Sequence, residues 1–222
     1  MTTTKPAPIT STAAENGSSS DRPHLARPIA LVLGAVLAAL GMALHLPAMP
    51  EDVGISIAIA EAPSRWLASH VLMGFGLVLV AVAAVSALPI VRGRGARLTT
   101  VGVILTAVGA AVLSLSDMAH GAVGFALVEP VDAATSFAVQ TAYFESPAIL
   151  WLNTGPLFLT LGLVVLGAGL LRSRIARRWE GIVVMLTPIA VHASFNFELP
   201  TYLHGVPLVV GFSVLARVIA RR

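Results

Sequence analysis

Six apolar stretches dominate the chain, at residues 28–46, 66–91, 98–115, 149–171, 181–195 and 203–219. Most are close to the ~20 residues that carry an α-helix through the hydrocarbon of a bilayer. A segment in lipid must satisfy its own backbone hydrogen bonds, so such stretches read as transmembrane helices. Composition agrees: 56% of residues are apolar and 11% charged, with a mean hydropathy of +0.87, far from the averages of water-soluble domains. The fold class expected is an all-α membrane bundle of about six helices occupying residues 28–222. The last two stretches are the shortest, and Pro188, Pro200 and Pro207 are placed to kink them or split them into a broken pair packed against neighbours.

The arginines orient this bundle, because loops kept on the cytoplasmic side retain Lys and Arg. Arg92, Arg94 and Arg97 share one connection, and Arg172, Arg174, Arg177 and Arg178 another. Lys5, Arg22 and Arg27 precede the first stretch, while Arg217, Arg221 and Arg222 end the last, leaving Arg65 alone on the other side. Six crossings of the cell (inner) membrane with both termini cytoplasmic satisfy this pattern; five would export a terminal basic cluster. Glu51, Asp52, Glu61, Glu129, Asp132, Glu145 and Glu198 all fall on the external side.

Residues 1–27 are rich in Thr, Ser, Pro and Ala and read as a disordered cytoplasmic tail. A cleaved signal peptide is the competing reading, weakened by the long polar lead and by the lack of a small-x-small site near 46–50. The Asn16-Gly-Ser18 acceptor pattern has no consequence in a cytoplasmic tail. With no cysteine, disulfides, thiolate metal sites and cysteine nucleophiles are excluded. The sequence pI near 10.2 does not indicate nucleic acid, since the net charge is only +3 and the basic residues flank apolar segments. The partner implied is the lipid bilayer.

Glu61-Ala-Pro63 precedes Trp66 and the second helix, and Glu145-Ser-Pro147 precedes Trp151 and the fourth. The turns that follow, Arg92-Gly-Arg-Gly-Ala-Arg97 and Arg172-Ser-Arg-Ile-Ala-Arg177, share the order Arg-x-Arg-x-Ala-Arg. Helices two and three and helices four and five therefore read either as two copies of one hairpin, related by an axis along the membrane normal, or as apolar sequence in which positive-inside loops imitate duplication. Two external connections, 51–63 and 129–147, have the composition of short interfacial helices. Trp66, Trp151 and Trp179 fall at expected interfaces, where an amphipathic ring is stable. Small residues such as Gly34, Gly41, Gly74, Gly76, Gly102, Gly109, Gly162, Gly167 and Gly169 allow close helix contact.

Five histidines, His45, His70, His120, His192 and His204, fall in the external half of the bundle, with Asp117 and Asn153 at a similar level. Ionisable groups within spans face a bundle interior or a water-filled cavity, because facing lipid costs at least about 2.5 kcal/mol. The expectation is an outward-facing ligand pocket of His70, Asp117, His120, Asn153, His192 and His204, opposed by a reading in which rim histidines only bond loops and headgroups. Imidazole and carboxylate suit zinc, iron or copper; Asp117 and His120 lie at i, i+3, and His120, His192 and His204 are the candidate ligands. Haem is a further candidate cofactor, with His70 and His120, or His192 and His204, as axial pairs.

The order Ile59-Ala-Glu-Ala-Pro-x-x-Trp66, then Ala68-Ser-His70, a glycine-rich helix and an arginine turn, resembles multi-pass membrane protein families common in actinobacteria. Gly155-Pro-Leu157, Leu170-Leu-Arg-Ser-Arg174 and Arg178-Trp179 look like the same families. The resemblance covers roughly residues 55–186 and implies fold and location only. Ser116-Asp-Met-Ala-His120 is also similar to the Ser, Asp and His arrangement of ceramidase-type hydrolases, which implies Ser116, Asp117 and His120 as catalytic residues around zinc. The chain departs from that family where Asn196, not a second histidine, follows His192 by four residues. A non-enzymatic membrane role is the primary reading. A zinc-dependent membrane hydrolase is one alternative. A small-solute or ion-coupled transporter, with Pro188, Asn196, Glu198 and Pro200 marking a broken helix, is the other.

Overall fold

The computed structural model describes residues 23–46, 54–86, 88, 93–127, 131–197 and 199–221. Residues 1–22 of the expected tail, Arg92, Arg222 and the acidic Glu51, Asp52, Glu129 and Glu198 lie outside the described residues. Among those described there is no strand, and the helices run α1 (Pro23–Leu44), α2 (Gly54–Glu61), α3 (Pro63–Ser86), α4 (Ala96–Ala126), α5 (Ala133–Glu145), α6 (Pro147–Leu152), α7 (Gly155–Ser173), α8 (Arg178–Asn196), α9 (Thr201–His204) and α10 (Val206–Ala220).

Five helical stretches are long and apolar enough to cross a membrane: Leu25–Leu44, Pro63–Ser86, Ala96–Ala126, Pro147–Ser173 and Thr201–Ala220. The remaining apolar stretch, the fifth in sequence, is helical too, as the 19-residue α8, but Trp179, Glu180, His192 and Asn196 dilute its hydrophobicity. The boundaries move in instructive ways. α1 starts at Pro23, inside the segment assigned to the tail, because proline is tolerated in an opening helical turn. α4 runs on past residue 115 to Ala126, so Asp117 and His120 continue one helix. The fourth and sixth stretches are each interrupted by a turn, at 153–154 between α6 and α7 and at Gly205 between α9 and α10, where the backbone keeps right-handed helical dihedrals, while Pro188 stays inside α8. The connections 51–63 and 129–147 contain the expected short helices, α2 and α5.

α1, α3, α4, α7, α8 and α10 form a closed ring in that order, each packed on the one before and after it, with α10 returning to α1. Residue pairings make every neighbour antiparallel. Across α4 and α7 the partners are Thr99 with Gly169, Gly102 with Leu166, Thr106 with Gly162, Gly109 with Leu159 and Leu113 with Gly155. Each glycine faces a larger residue at spacings of three and four, so one helix's knob fills the other's groove. Lipid supplies no hydrophobic drive between helices, and this close backbone approach lets dispersion contacts hold them together. Gly34 and Gly76 do the same between α1 and α3. The Ser114 hydroxyl donates to the Gly74 carbonyl at 2.9 Å, tying α4 to α3. The outside of the ring is as apolar as its interior: Leu33, Phe75, Val82, Ile104, Leu161, Ile189 and Val210 are exposed, the pattern of helices that face lipid.

Antiparallel neighbours gather the described arginines, Arg65 excepted, at one end of the ring, and the α2, α5, α6 and α9 segments at the other. At the arginine end the two hairpin turns differ despite their shared sequence order. The first turns on Gly93 and Gly95 (φ 78° and 89°), the second on Arg174 (φ 56°). Gly95 is required twice over, since any Cβ there would also approach the Gly169 carbonyl oxygen to 2.8 Å. Arg174 holds a left-handed conformation that costs an L-residue about 1–2 kcal/mol. Glu180 is buried in the first turn of α8, accepting from the Arg177 backbone N–H at 2.8 Å and pairing with Arg221 at the end of α10, also at 2.8 Å.

Candidate functional site at the histidine-bearing end

The six residues expected to share one pocket divide among four settings, three of which hold five of them while His204 stands apart. The first is built on the opening turns of α3. Trp66 and His70 lie four residues apart, hence on one face, and His70 Nδ1 donates to the Trp66 carbonyl at 2.9 Å, within 3.1 Å of the Ser69 hydroxyl oxygen. On α4, Gly121 and Gly124 open a slot for both rings: a Cβ at Gly121 would meet His70 Cγ at 2.9 Å, and one at Gly124 would meet the Trp66 indole Cε2 at 2.9 Å. The slot explains why Trp66 is only 1% exposed instead of serving as the interfacial anchor its position suggested. Trp151, 77% exposed, has the surface setting expected of such an anchor.

His45, just past α1, and His120, on α4, complete the cluster. The His70 ring centroid lies 5.1 Å from that of His45 and 5.0 Å from that of His120. Trp66 touches all three imidazoles, at 5.3, 4.2 and 4.9 Å, and Phe144 of α5 caps His120 edge-on at 4.4 Å. His45 Nδ1 donates to the Leu46 carbonyl at 2.7 Å. In the neutral tautomer that these bonds select, Nε2 of His45 and of His70 each keeps a lone pair. The Trp66 Nε1–H and the Tyr143 hydroxyl are buried with no hydrogen-bond partner among the described residues.

The second setting is a cavity on the axis of the ring. All six ring helices line it, through residues such as Met42, Met73, Asp117, Leu159, His192 and Leu208. Its volume is about 80 Å³, room for a few waters or a small organic group. The lining is almost wholly apolar, and Asp117, Thr160 and His192 supply its side-chain polar groups. Thr160 Oγ1 and His192 Nε2 stand 3.5 Å apart across the α7–α8 boundary.

Ser116 and Asn153 form the third setting: the Ser116 hydroxyl donates to Asn153 Oδ1 at 3.1 Å, joining α4 to the turn between α6 and α7. A hydroxyl has one proton to give, so Ser116 is directed to Asn153 while Asp117 lines the cavity and His120 joins the ring cluster. The serine, aspartate and histidine suggested by spacing thus point to three different partners. His204 stacks on Phe195 at 4.1 Å, and its Nε2 donates to the Leu199 carbonyl at 2.7 Å. His120, His192 and His204, the candidate metal ligands, are therefore held in separate surroundings. Among the described residues no group of three or more His, Asp or Glu is arranged to hold a metal ion.

No family model, no curated protein and no solved structure matches this chain. The site must be read from its own chemistry.

His45, Trp66, Phe144, Gly121 and Gly124 are members of the histidine cluster that the expected ligand set lacked. A signal for the glycines existed: their i, i+3 spacing near the C-terminal end of α4 mirrors the i, i+4 spacing of Trp66 and His70 that they accommodate. α4 explains the height of the cluster. At about 1.5 Å per residue its 31 residues extend ~46 Å, against ~30 Å of hydrocarbon. Arg97 and Asp117 therefore lie about 30 Å apart along α4, with His120 nearly a further turn on.

Proposed function

We propose that this chain is a six-span membrane protein with both termini on the arginine-bearing cytoplasmic side, and that it binds a small solute in the axial cavity without chemically transforming it. The observation carrying this reading is the convergence of all six ring helices on one cavity whose polar groups are Asp117, Thr160 and His192. A carboxylate beside a hydroxyl and an imidazole, in an otherwise apolar chamber, suits a ligand with one cationic or donor head and a short apolar body. Its size restricts that ligand to a few heavy atoms.

The sixth span is supported by the reach of α8, which lies beside α10 at Glu180 and Arg221 and beside α7 at His192 and Thr160. At ~1.5 Å per residue its 19 residues extend about 28 Å. The hairpins α3–α4 and α7–α8 share their Glu-x-Pro entry and their places in the ring, which supports a duplication whose two turns have since diverged.

Ligand binding is tested by thermal shift of the detergent-purified chain against a panel of small primary and quaternary amines. A stabilising amine should lose its effect in Asp117→Asn and weaken in His192→Ala. Equal shifts in wild type and both variants would refute the cavity as the site. Transport is a second reading, favoured by the turns that interrupt two cavity-lining spans at 153–154 and at Gly205, positions where a transporter helix could unwind. Amine flux into proteoliposomes that disappears in Asp117→Asn would select it over simple binding.

A further inference from the structure

At the end of the ring opposite the histidines, Arg94 of the α3–α4 turn and Arg172, Arg174 and Arg178 of the α7–α8 turn line one cleft of about 550 Å³. Two separate connections supply these side chains, and they are brought together by packing: the Gly95 backbone sits against the Gly169 carbonyl and Ser173 at the end of α7. Among the described residues no acidic one lines the cleft. Glu180, the carboxylate nearest in sequence, is taken by Arg221 and by the Arg177 backbone. Four guanidinium groups therefore share a cleft without an acidic counterpart in its lining.

The backbone adds an independent observation. Arg174 is the one non-glycine residue with positive φ among the described residues, and it occupies the C-cap of α7, where glycine is the usual occupant because it adopts this conformation without strain. Keeping an arginine there accepts backbone strain in exchange for its side chain, and strain of this kind concentrates at ligand sites. Guanidinium forks match phosphate oxygens two at a time. The cleft lies at the level where a span meets lipid headgroups, and basic pockets between helices at that level suit anionic headgroups.

We infer that this cleft is a binding site for the phosphate of an anionic phospholipid, with Arg94 and Arg174 as its two principal contacts. The site rests on the membrane-spanning reading of the bundle and is independent of the axial cavity. Its ligand is a phosphodiester bearing net negative charge; a zwitterionic lipid carries the same phosphate, but its own ammonium group opposes the four arginines.

The test is native mass spectrometry of the full chain in a neutral detergent, titrated separately with phosphatidylglycerol, phosphatidylcholine and inorganic phosphate. Wild type should retain one phosphatidylglycerol at least tenfold more tightly than phosphatidylcholine, and Arg94→Gln with Arg174→Gln should abolish that preference. Arg174→Gly is the decisive single variant, because glycine keeps the left-handed backbone and relieves its strain while removing the guanidinium. It should unfold at the same or a higher temperature yet lose most of the preference, whereas Arg65→Gln, at the opposite end, should keep it. Undiminished phosphatidylglycerol retention in Arg174→Gly and in the double variant, equal retention of both lipids by wild type, or displacement of the lipid by millimolar inorganic phosphate would each overturn the assignment. Cysteine labelling of the two faces, which tests the spans, reads out separately from this assay.

Discussion

The α4–α7 contact offers the sharpest test of the ring, through Gly109→Ala. A Cβ at Gly109 would lie 2.7 Å from Leu159 Cα and 2.8 Å from the Phe158 carbonyl carbon, and closer still to the Leu159 nitrogen. All three are backbone atoms of α7, so no side-chain rotation relieves the clash. Carbon atoms pack at about 3.5 Å or more, which requires α7 to retreat by roughly 0.8 Å at this level. The retreat is not local, because Gly102 against Leu166 and Gly162 against Thr106 use the same close approach. Overpacking costs about 1–3 kcal/mol, and a clash with three backbone atoms belongs in the upper part of that range, about 2–3 kcal/mol. Alanine returns about 0.5–1 kcal/mol through its better helix propensity, leaving a net loss of roughly 1–2.5 kcal/mol. At about 2–4 °C per kcal/mol for a chain of this size, Tm should fall by roughly 2–10 °C.

The assay is thermal unfolding of the purified chain in one detergent, followed by near-ultraviolet circular dichroism and by the monomer fraction remaining soluble. Ile104→Ala, on the same helix with its side chain 46% exposed on the outer face, is the matched control, and its Tm should stay within about 2 °C of wild type, as for surface substitutions. A Gly109→Ala protein as stable as wild type, or more stable by the propensity gain alone, would show that α4 and α7 do not touch at this register. The antiparallel ring built on that contact would then be wrong.

Gly124→Ala should push the indole of Trp66 out of its slot, because the new methyl would overlap the ring edge; in a Trp151→Phe, Trp179→Phe background the emission should shift to longer wavelength and acrylamide quenching should rise. Arg221→Met should lower stability by about 1–3 kcal/mol by urea titration, less than the 3–5 kcal/mol of a fully buried pair because Arg221 is 37% exposed; Glu180→Gln in the same chain should recover part of the loss. Asp132 caps α5, accepting from the Thr135 N–H at 3.0 Å and its hydroxyl at 2.8 Å, bonds that hold the carboxyl below its usual pKa. A carboxylate with a depressed folded-state pKa stabilises above its unfolded value and stops doing so as pH falls through the depressed one, so hydrogen exchange in α5 should accelerate only below about pH 4.

Helix existence was readable wherever apolar residues ran long enough to cross lipid, because in that solvent composition alone decides whether a segment can be helical. Boundaries were less so. The extension of α4 to Ala126 is hidden because its last turns carry Ser116, Asp117, His120, Gly121 and Gly124, which meet Asn153, the cavity, Trp66 and His70, and so give no continuous hydrophobic signal. The candidate site was legible as a level and not as a constellation. Counting residues from the arginines brought His45, His70 and His120 to a common height, but which ring each meets depends on helix rotation and on the gap left by Gly121 and Gly124. Asp117 and His120, three residues apart, ended in different settings for that reason. Glu180 passed unnoticed because its partner, Arg221, is 41 residues away in sequence and meets it only when the ring closes.

The two ends of the ring hold their ionisable groups differently. At the histidine end, His70 is 1% exposed and His45 and His120 are held against aromatic rings, while Glu61, Arg65, Asp132, Glu145 and His192 stay exposed. Two of the clustered imidazoles give their Nδ1 protons to backbone carbonyls, an arrangement that fixes the tautomer. At the arginine end, Arg94, Arg172, Arg174 and Arg178 remain exposed around a cleft with no acidic lining among the described residues. Asp117, half-buried, lines the axial cavity together with His192, so the cavity's carboxyl belongs to neither the histidine cluster nor the arginine cleft. The turns at 153–154 and Gly205 keep helical dihedrals, and bonds such as Asn153 N–H to the Ile149 carbonyl at 2.8 Å and Val209 N–H to the Gly205 carbonyl at 3.2 Å carry the ladder past them, so the interrupted spans still present a continuous wall to that cavity.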